Sequence, residues 1–177
     1  PSQHVVDETG NLIDPLREDI STTLMAGVKM PTELNSDLRL LSGLSLGWTL
    51  ATSNQNNFDA QRTQYVPQYY NYNELRLSPS FKALFGPGKS PIVASLSGTY
   101  SLRRYPHRLV QNETGVYQSD KIDTSSWMMS SSLTYPMAPH FSLMFNVQYG
   151  RASSNQGFEQ YYKYNYSVTN YLFGFSY

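Results

Sequence analysis

Apolar and polar residues alternate along most of the chain, and this period of two predicts long β-strands rather than helices. The clearest run covers residues 38–50, where leucines and Trp48 occupy the even positions and polar or small residues occupy most odd ones. On a helix the same leucines would spread over all sides, because a helix repeats every 3.6 residues. Only Leu41 and Ser42 break the alternation. The run therefore predicts a strand with one apolar and one polar face.

Six further runs alternate in the same way, so we predict about seven strands. They lie at residues 20–30, 74–85, 92–103, 127–135, 141–150 and 161–177. Met25 stands on a polar face, and Pro79 removes one backbone donor from its strand. In the last run the aromatic residues stand at even positions up to Tyr166 and at odd positions from Tyr171 onward. This change predicts a β-bulge near residues 168–170.

The connections between these runs alternate between short and long. Residues 31–36, 86–90 and 136–140 are short and contain Pro or Gly, which predicts turns. The stretches at 53–64, 109–120 and 152–159 are longer and polar, which predicts loops. Short turns at one end and long loops at the other are typical of outer-membrane barrels, whose turns are periplasmic and whose loops are extracellular.

The position of charge within the strands separates a membrane barrel from a soluble β-sandwich. A charge facing lipid at the midplane costs about 2–4 kcal/mol, so a barrel keeps charges on its inner face. Six charged residues stand at positions that the alternation assigns to the polar face: Lys29, Arg39, Glu74, Arg76, Lys82 and Arg103. Arg104 departs from it, close to the predicted loop end. The strands are also longer than the 5–6 residues usual in globular proteins.

We therefore predict an all-β, antiparallel, up-and-down transmembrane β-barrel, with a secreted β-sandwich or soluble barrel as the alternative. The mean hydropathy of −0.46 does not distinguish them, because half of a barrel's strand residues face a polar interior. The 15 tyrosines are typical of the aromatic belts at membrane interfaces. Zero net charge argues against a nucleic-acid partner. The absence of cysteine excludes disulfides and thiolate metal sites.

The C-terminal quarter resembles known barrels. The run YLFGFSY at 171–177 resembles the terminal signal by which bacterial outer-membrane proteins are recognised for insertion. Residues 133–143 and 161–177 are similar to the closing hairpins of porin-like families, including exopolysaccharide-export barrels. The resemblance implies a bacterial outer-membrane location, with membrane lipid and the insertion machinery as partners. It assigns the signal to Tyr171, Phe173, Phe175 and Tyr177, although Phe is commoner than Tyr as the last residue.

Seven is an odd number, whereas bacterial single-chain barrels have an even number of strands. Residues 1–15 alternate poorly and are predicted to form an extracellular loop or N-terminal segment, and residues 16–177 the barrel strands. By direction, the strand that precedes this loop lies outside the sequence. We therefore expect the C-terminal portion of a larger barrel, with the rest of the barrel or another envelope subunit as a partner. A closed eight-stranded barrel that recruits the N-terminal segment is the alternative.

The polar faces suggest a lumen with a charge bias. Five of the six charges above are basic and Glu74 is acidic, which predicts a passive pore or export channel for polar, and on this reading anionic, solutes or polysaccharide. The alternative is that Glu74 pairs with a neighbouring arginine and that the basic residues balance charges elsewhere. A different class of function also stays open, a closed structural or adhesive barrel whose loops bind a partner, or a component of an envelope complex.

Two tyrosine groups flank the predicted loops. They are either platforms for sugars or a partner, or part of the interfacial belt: Tyr65, Tyr69, Tyr70 and Tyr72, and Tyr161, Tyr162, Tyr164 and Tyr166. His4, His107 and His140 lie in different segments, so no metal site is predicted. No spacing singles out a catalytic triad, so we predict no enzyme and no cofactor.

Overall fold

The computed structural model describes residues 3–86, 90–160 and 163–176. Within these ranges the chain is all-β, with 76% of residues in strands and no helix. The described residues accordingly contain no helix with the length and hydropathy that a membrane crossing requires.

Seven long strands form one antiparallel sheet, and two short hairpins accompany it. The strands are β1 (His4–Val6), β2 (Leu12–Leu16), β3 (Asp19–Asn35), β4 (Leu38–Ser53), β5 (Asn57–Asp59), β6 (Gln64–Val66), β7 (Tyr72–Phe85), β8 (Ile92–Gln111), β9 (Tyr117–Ala138), β10 (Phe141–Ser154) and β11 (Tyr166–Ser176). The sheet order is β11-β10-β9-β8-β7-β4-β3, so strands adjacent in the sheet follow one another along the chain. β1 pairs with β2, and β5 pairs with β6. The seven predicted strands are thus confirmed.

The sheet does not close into a barrel. β3 pairs only with β4, and β11 pairs only with β10, so each end strand has one unpaired edge within the described residues. Because neighbours are antiparallel, β3 and β11 run in the same direction. All connections between β4 and β7, β8 and β9, and β10 and β11 lie at one end of the sheet, here called the loop end. The opposite end is the turn end.

Two of the predicted turns were too long, because each included a proline that lies inside a strand. Pro31 lies inside β3, and the turn that follows is only Ser36 and Asp37. Pro136 lies inside β9, and the turn is Pro139 and His140. Both prolines occupy places where their strand has only one partner, so a missing backbone donor is tolerated. The third predicted turn includes Gly86, whose φ of +103° suits glycine, but residues 87–89 lie outside the described residues.

The predicted bulge at 168–170 was wrong. β10 and β11 pair in unbroken register from Ser142 opposite Ser176 to Ala152 opposite Tyr166. The change in aromatic parity instead reflects where the strand begins, because Tyr164 precedes β11. A real irregularity occurs in β8, whose pairing with β9 shifts register between Arg104 and Leu109. Beyond it both strands continue, so the predicted loop at 109–120 shortens to residues 112–116.

Exposure is inverted relative to a water-soluble protein. On β4 the large apolar side chains point outward, with Leu46 59% and Trp48 39% exposed. The polar or small residues between them are partly buried. On the inner strands the polar face is therefore the more enclosed side and the apolar face is open, whereas the end strands β3 and β11 are exposed on both faces along almost their whole length.

Burial is concentrated at the loop end. In the described residues the buried apolar side chains are Val5, Ala51, Val66, Val110 and Ile122. All belong to the loops or to the strand ends beside them. The N-terminal hairpin joins this cluster, because Asn56 Nδ2 donates to the Val6 carbonyl at 2.8 Å. Residues 1–15 thus contribute, where described, to the loop end.

Candidate functional site

The polar face carries an ion-paired triad near the loop end. Register places Glu74 of β7 directly opposite Arg103 of β8, and Arg76 two residues along β7 has the same facing. Glu74 accepts from Arg76 at 2.5 Å and from Arg103 at 2.6 Å. Its own side chain is only 5% exposed. The structure thus shows the cross-strand pairing of Glu74 with a neighbouring arginine, which is one part of the alternative stated above.

Tyrosine rings extend this triad toward the loops. The Arg103 guanidinium lies 4.2 Å from the Tyr72 ring centroid, and its Nη1 donates to the Tyr105 hydroxyl at 3.2 Å. Arg108 lies between two rings, 4.1 Å from the centroids of both Tyr69 and Tyr105. Cation–π contacts of this kind contribute about 0.5–2 kcal/mol each, depending on desolvation. The loop end of the polar face is thus held by arginine–tyrosine stacking.

The alternation of apolar and polar residues could not have assigned Arg108 to the polar face. Its even number places it with Arg104 on the apolar side, yet it lies against Tyr105 on the polar side. The register shift between Arg104 and Leu109 accounts for this: β8 advances five residues there while β9 advances two, and an odd number of extra residues reverses the facing of those that follow.

Two adjoining cavities open on this cluster. One, of about 430 Å³, is lined by Glu74, Arg103, Tyr105, Arg108, hydroxyl side chains of β8 and β9, and Tyr164 and Tyr166. The other, of about 310 Å³, shares Tyr105 and Arg108 and continues toward Arg17, Asp19 and Tyr70. Arg108 therefore stands where both cavities meet.

The remaining predicted lumen residues lie nearer the turn end. Lys29, Arg39 and Lys82 share the polar face on the neighbouring strands β3, β4 and β7. Within the described ranges none of them has a carboxylate within 4.0 Å. Gly43, which pairs with Lys29, makes room for Ser80, because a Cβ there would lie 2.6 Å from the Ser80 hydroxyl oxygen. The six predicted residues thus form a paired group and an unpaired group.

The apolar face is not free of charge. Arg104 pairs with Asp123 at 2.8 Å near the loop end, in keeping with its expected place at an interface. Arg151, which was not among the predicted strand charges, lies opposite Trp127 on the apolar face. Hollows of about 730 and 460 Å³ also lie on this side, both lined by Trp48, Tyr100 and Leu102. They are grooves between the large side chains of one exposed face.

The predicted insertion signal lies on the last strand. Tyr171, Phe173 and Phe175 have the same facing, opposite Val147, Phe145 and Leu143 of β10, and they are 68–73% exposed. Tyr177 lies outside the described residues. The three aromatic rings therefore continue the apolar face across the edge strand.

The tyrosines of the first loop are engaged within the chain. Tyr65 packs against Phe58, with ring centroids 5.1 Å apart, and Tyr69, Tyr70 and Tyr72 contact arginines. Tyr166 and Tyr164 line the larger cavity, whereas 161 and 162 lie outside the described residues. The tyrosines of the first loop thus contribute to the packing of the loop end, whereas Tyr164 and Tyr166 face the larger cavity.

A second polar network joins two loops. Partial burial raises the pKa of Asp59, but hydrogen bonds from Tyr117 and Arg62 outweigh it and hold that pKa below its usual value. Burial, followed by the bond to Asp59, raises the pKa of Tyr117 to about 12. The Arg62 guanidinium also covers the Tyr117 ring at 4.4 Å. The hairpin β5–β6 is thereby fixed to the start of β9.

No group of three or more metal-ligating side chains occurs in the part of the chain that the structure describes. Comparison with protein-family models, with curated proteins and with solved structures found no match.

Proposed function

We propose that this chain is the C-terminal portion of a bacterial outer-membrane β-barrel whose lumen passes polar solutes or polysaccharide, with a preference for anions. The observation that carries the proposal is the inverted exposure of the sheet. Contiguous exposed apolar surface beyond a few hundred Å² is rare on soluble monomers and marks an interaction or membrane surface. The exposed face here extends from Leu24 on β3 to Phe173 on β11.

The chemistry of the two faces supports lipid as the occupant of the apolar side. Protein partners usually bind a patch with a polar rim, whereas this face continues over all seven strands. The charges of its described part gather toward the loop end, as in the Arg104–Asp123 pair. On the polar side, hydroxyls bond across strands, such as Ser101 with Ser126 at 2.7 Å. A lumen requires this division, because lipid tolerates no unpaired polar group.

The open edges indicate that more strands complete the barrel. An unpaired edge in lipid would leave backbone groups unsatisfied, each at several kcal/mol. Joining β3 directly to β11 would create a parallel pair, because they run in the same direction. An odd number of additional strands makes every pair antiparallel and the total even. We propose that these come from the rest of the protein or from another envelope subunit, inserted by the outer-membrane machinery.

The polar-face charges set the expected selectivity. Six cations on its strands, Arg108 included, face three carboxylates, those of Asp19, Glu33 and Glu74, which leaves a surplus of three positive charges. Lys29, Arg39 and Lys82 lie near the turn end, where Glu33, opposite Arg39, is the polar-face carboxylate among the described residues. Rings of cationic side chains favour anions in pores.

Conductance of the full-length protein in planar bilayers tests the pore. We expect open channels whose reversal potential in a salt gradient indicates anion preference. The double variant R39Q/K82Q removes two unpaired lumen charges and shifts the reversal potential toward cations. R151Q removes a cation from the outer face and leaves it unchanged. Absence of channels would overturn the pore, and a wild-type cation preference would overturn the anionic selectivity.

A further inference from the structure

We propose that Arg108 is the anion-binding residue of a subsite for an acidic sugar, located where the two loop-end cavities meet. This inference rests on the proposed function, because a saccharide reaches the site only if the polar face lines an accessible lumen. It goes further by naming the substrate class and the residue that recognises it.

Arg108 is held in place but keeps its charge available. The rings of Tyr69 and Tyr105 lie 4.1 Å from its guanidinium, and its Nε donates to the Tyr69 carbonyl at 2.8 Å. Among the described residues no carboxylate lies within 4.0 Å of it, and its two terminal nitrogens donate to no side chain or carbonyl. A guanidinium with free terminal nitrogens binds a carboxylate through two parallel hydrogen bonds.

The surrounding charge favours an anion. Glu74 lines the same cavity, but Arg76 and Arg103 already neutralise it. Asp19, in the smaller cavity, is paired with Arg17 at 2.8 Å. Together, Glu74 and the three arginines Arg76, Arg103 and Arg108 carry a net charge of +2. An incoming carboxylate therefore meets positive potential rather than repulsion.

The cavity walls suit the uncharged part of a sugar. Ser101, Thr124 and Ser126, which carry hydroxyls, line the larger cavity, and so does Tyr166. Hydroxyls exchange hydrogen bonds with a sugar, and an aromatic ring packs against its C–H face. Volumes of about 430 and 310 Å³ fall within the range of small-molecule pockets. A sugar unit in one cavity with its carboxylate at Arg108 would place the next unit in the other.

Two disaccharides that differ only in charge test this subsite. Cellobiouronic acid carries a carboxylate where cellobiose carries a hydroxymethyl group. Isothermal titration calorimetry of the full-length protein in detergent should show the acid binding about tenfold more tightly, because a hydrogen bond to a charged group is stronger than one to a neutral hydroxyl. Equal affinity for both sugars, or no saturable binding of the acid in the millimolar range, would overturn the proposal.

Two variants test whether Arg108 is the residue that binds the acid. R108Q should reduce the affinity for the acid to that for cellobiose, whereas R151Q on the opposite face should bind like the wild type. Unchanged binding of the acid by R108Q would contradict the assignment. The wild-type comparison of the two sugars needs no variant, so it decides the matter even if R108Q fails to fold. If the protein forms channels in bilayers but binds both disaccharides equally in calorimetry, the subsite is refuted and the pore is not. If it binds the acid more tightly but forms no channels, the pore is refuted and the subsite is not.

Discussion

At the scale of single residues, charge and its partners decide what the polar face does. Glu74 shows this best, because one carboxylate holds two arginines from adjacent strands. The sequence predicted that these three charges share a face, since parity alone fixes that. It could not show that Arg108 joins them, because a local shift in β8 reverses its facing. The alternation of a sequence predicts which face of the sheet a residue occupies only where the strand pairing has no irregularity.

Removing the central carboxylate should destabilise the protein and change its selectivity. In E74Q the two arginines lose their counter-charge, so we expect the free energy of unfolding to fall by about 1–3 kcal/mol. Denaturant titrations in lipid vesicles measure it. The reversal potential should move further toward anions. E33Q is the matched control, because Glu33 shares the polar face but has no ion pair in the described residues. Its stability should change by less than about 0.5 kcal/mol; equal losses in both variants would refute the triad's role.

The Asp59–Tyr117 network should make stability depend on pH at both extremes. Tyr117 has a pKa of about 12 against 10.0 unfolded, so the folded state holds its proton more tightly. Its contribution is fully present below pH 10 and declines as pH rises toward 12. For Asp59, whose pKa is lowered, the contribution is present above its usual pKa and declines as pH falls through the folded value.

The variant Y117F isolates the alkaline part. Between pH 9 and pH 11 the wild type should lose more free energy of unfolding than Y117F, as measured by guanidinium titrations. D59N should remove the acid part and leave a reduced alkaline part. If Y117F and the wild type lost the same amount, the raised pKa would not contribute to stability.

At the scale of strands, the alternation predicted all seven long elements, and errors arose where proline or polar sequence was read as a turn. Pro79 lies in the middle of β7, and the pairing of β7 with β8 skips it, resuming at Ser80 opposite Ser97. Pro31 and Pro136 also lie where a ladder partner is missing. The hairpin at 109–120 was missed as strand because its residues do not alternate. Such extensions depend on pairing between distant segments, which a local pattern does not contain.

Adjacent residues on β8 offer a matched test of the two faces. Leu96 and Ser97 are both exposed and point to opposite sides. In a membrane barrel L96R places a charge against lipid and should lower the free energy of unfolding by about 2–4 kcal/mol. S97R places it in the lumen and should change stability by less than half as much. In a water-soluble sheet both variants would be tolerated alike.

At the scale of the whole molecule, the sequence predicted an incomplete barrel, and the structure shows a seven-stranded sheet with two open edges. Strand number followed from local alternation. The stacked loop end did not, because it joins residues as distant as Val6 and Asn56 through one hydrogen bond. The central claim is that the apolar face contacts lipid while the polar face contacts water.

Spin-label accessibility along β8 tests this claim most directly. The chain has no cysteine, so single cysteines at positions 94 to 102 label one site each, provided that the rest of the protein is also made cysteine-free. In lipid bilayers, labels at Leu96, Tyr100 and Leu102 should be accessible to oxygen, which dissolves in lipid, and shielded from a water-soluble nickel complex. Labels at Ser97 and Ser101 should show the reverse. Greater accessibility to nickel than to oxygen at all five positions would contradict the membrane barrel.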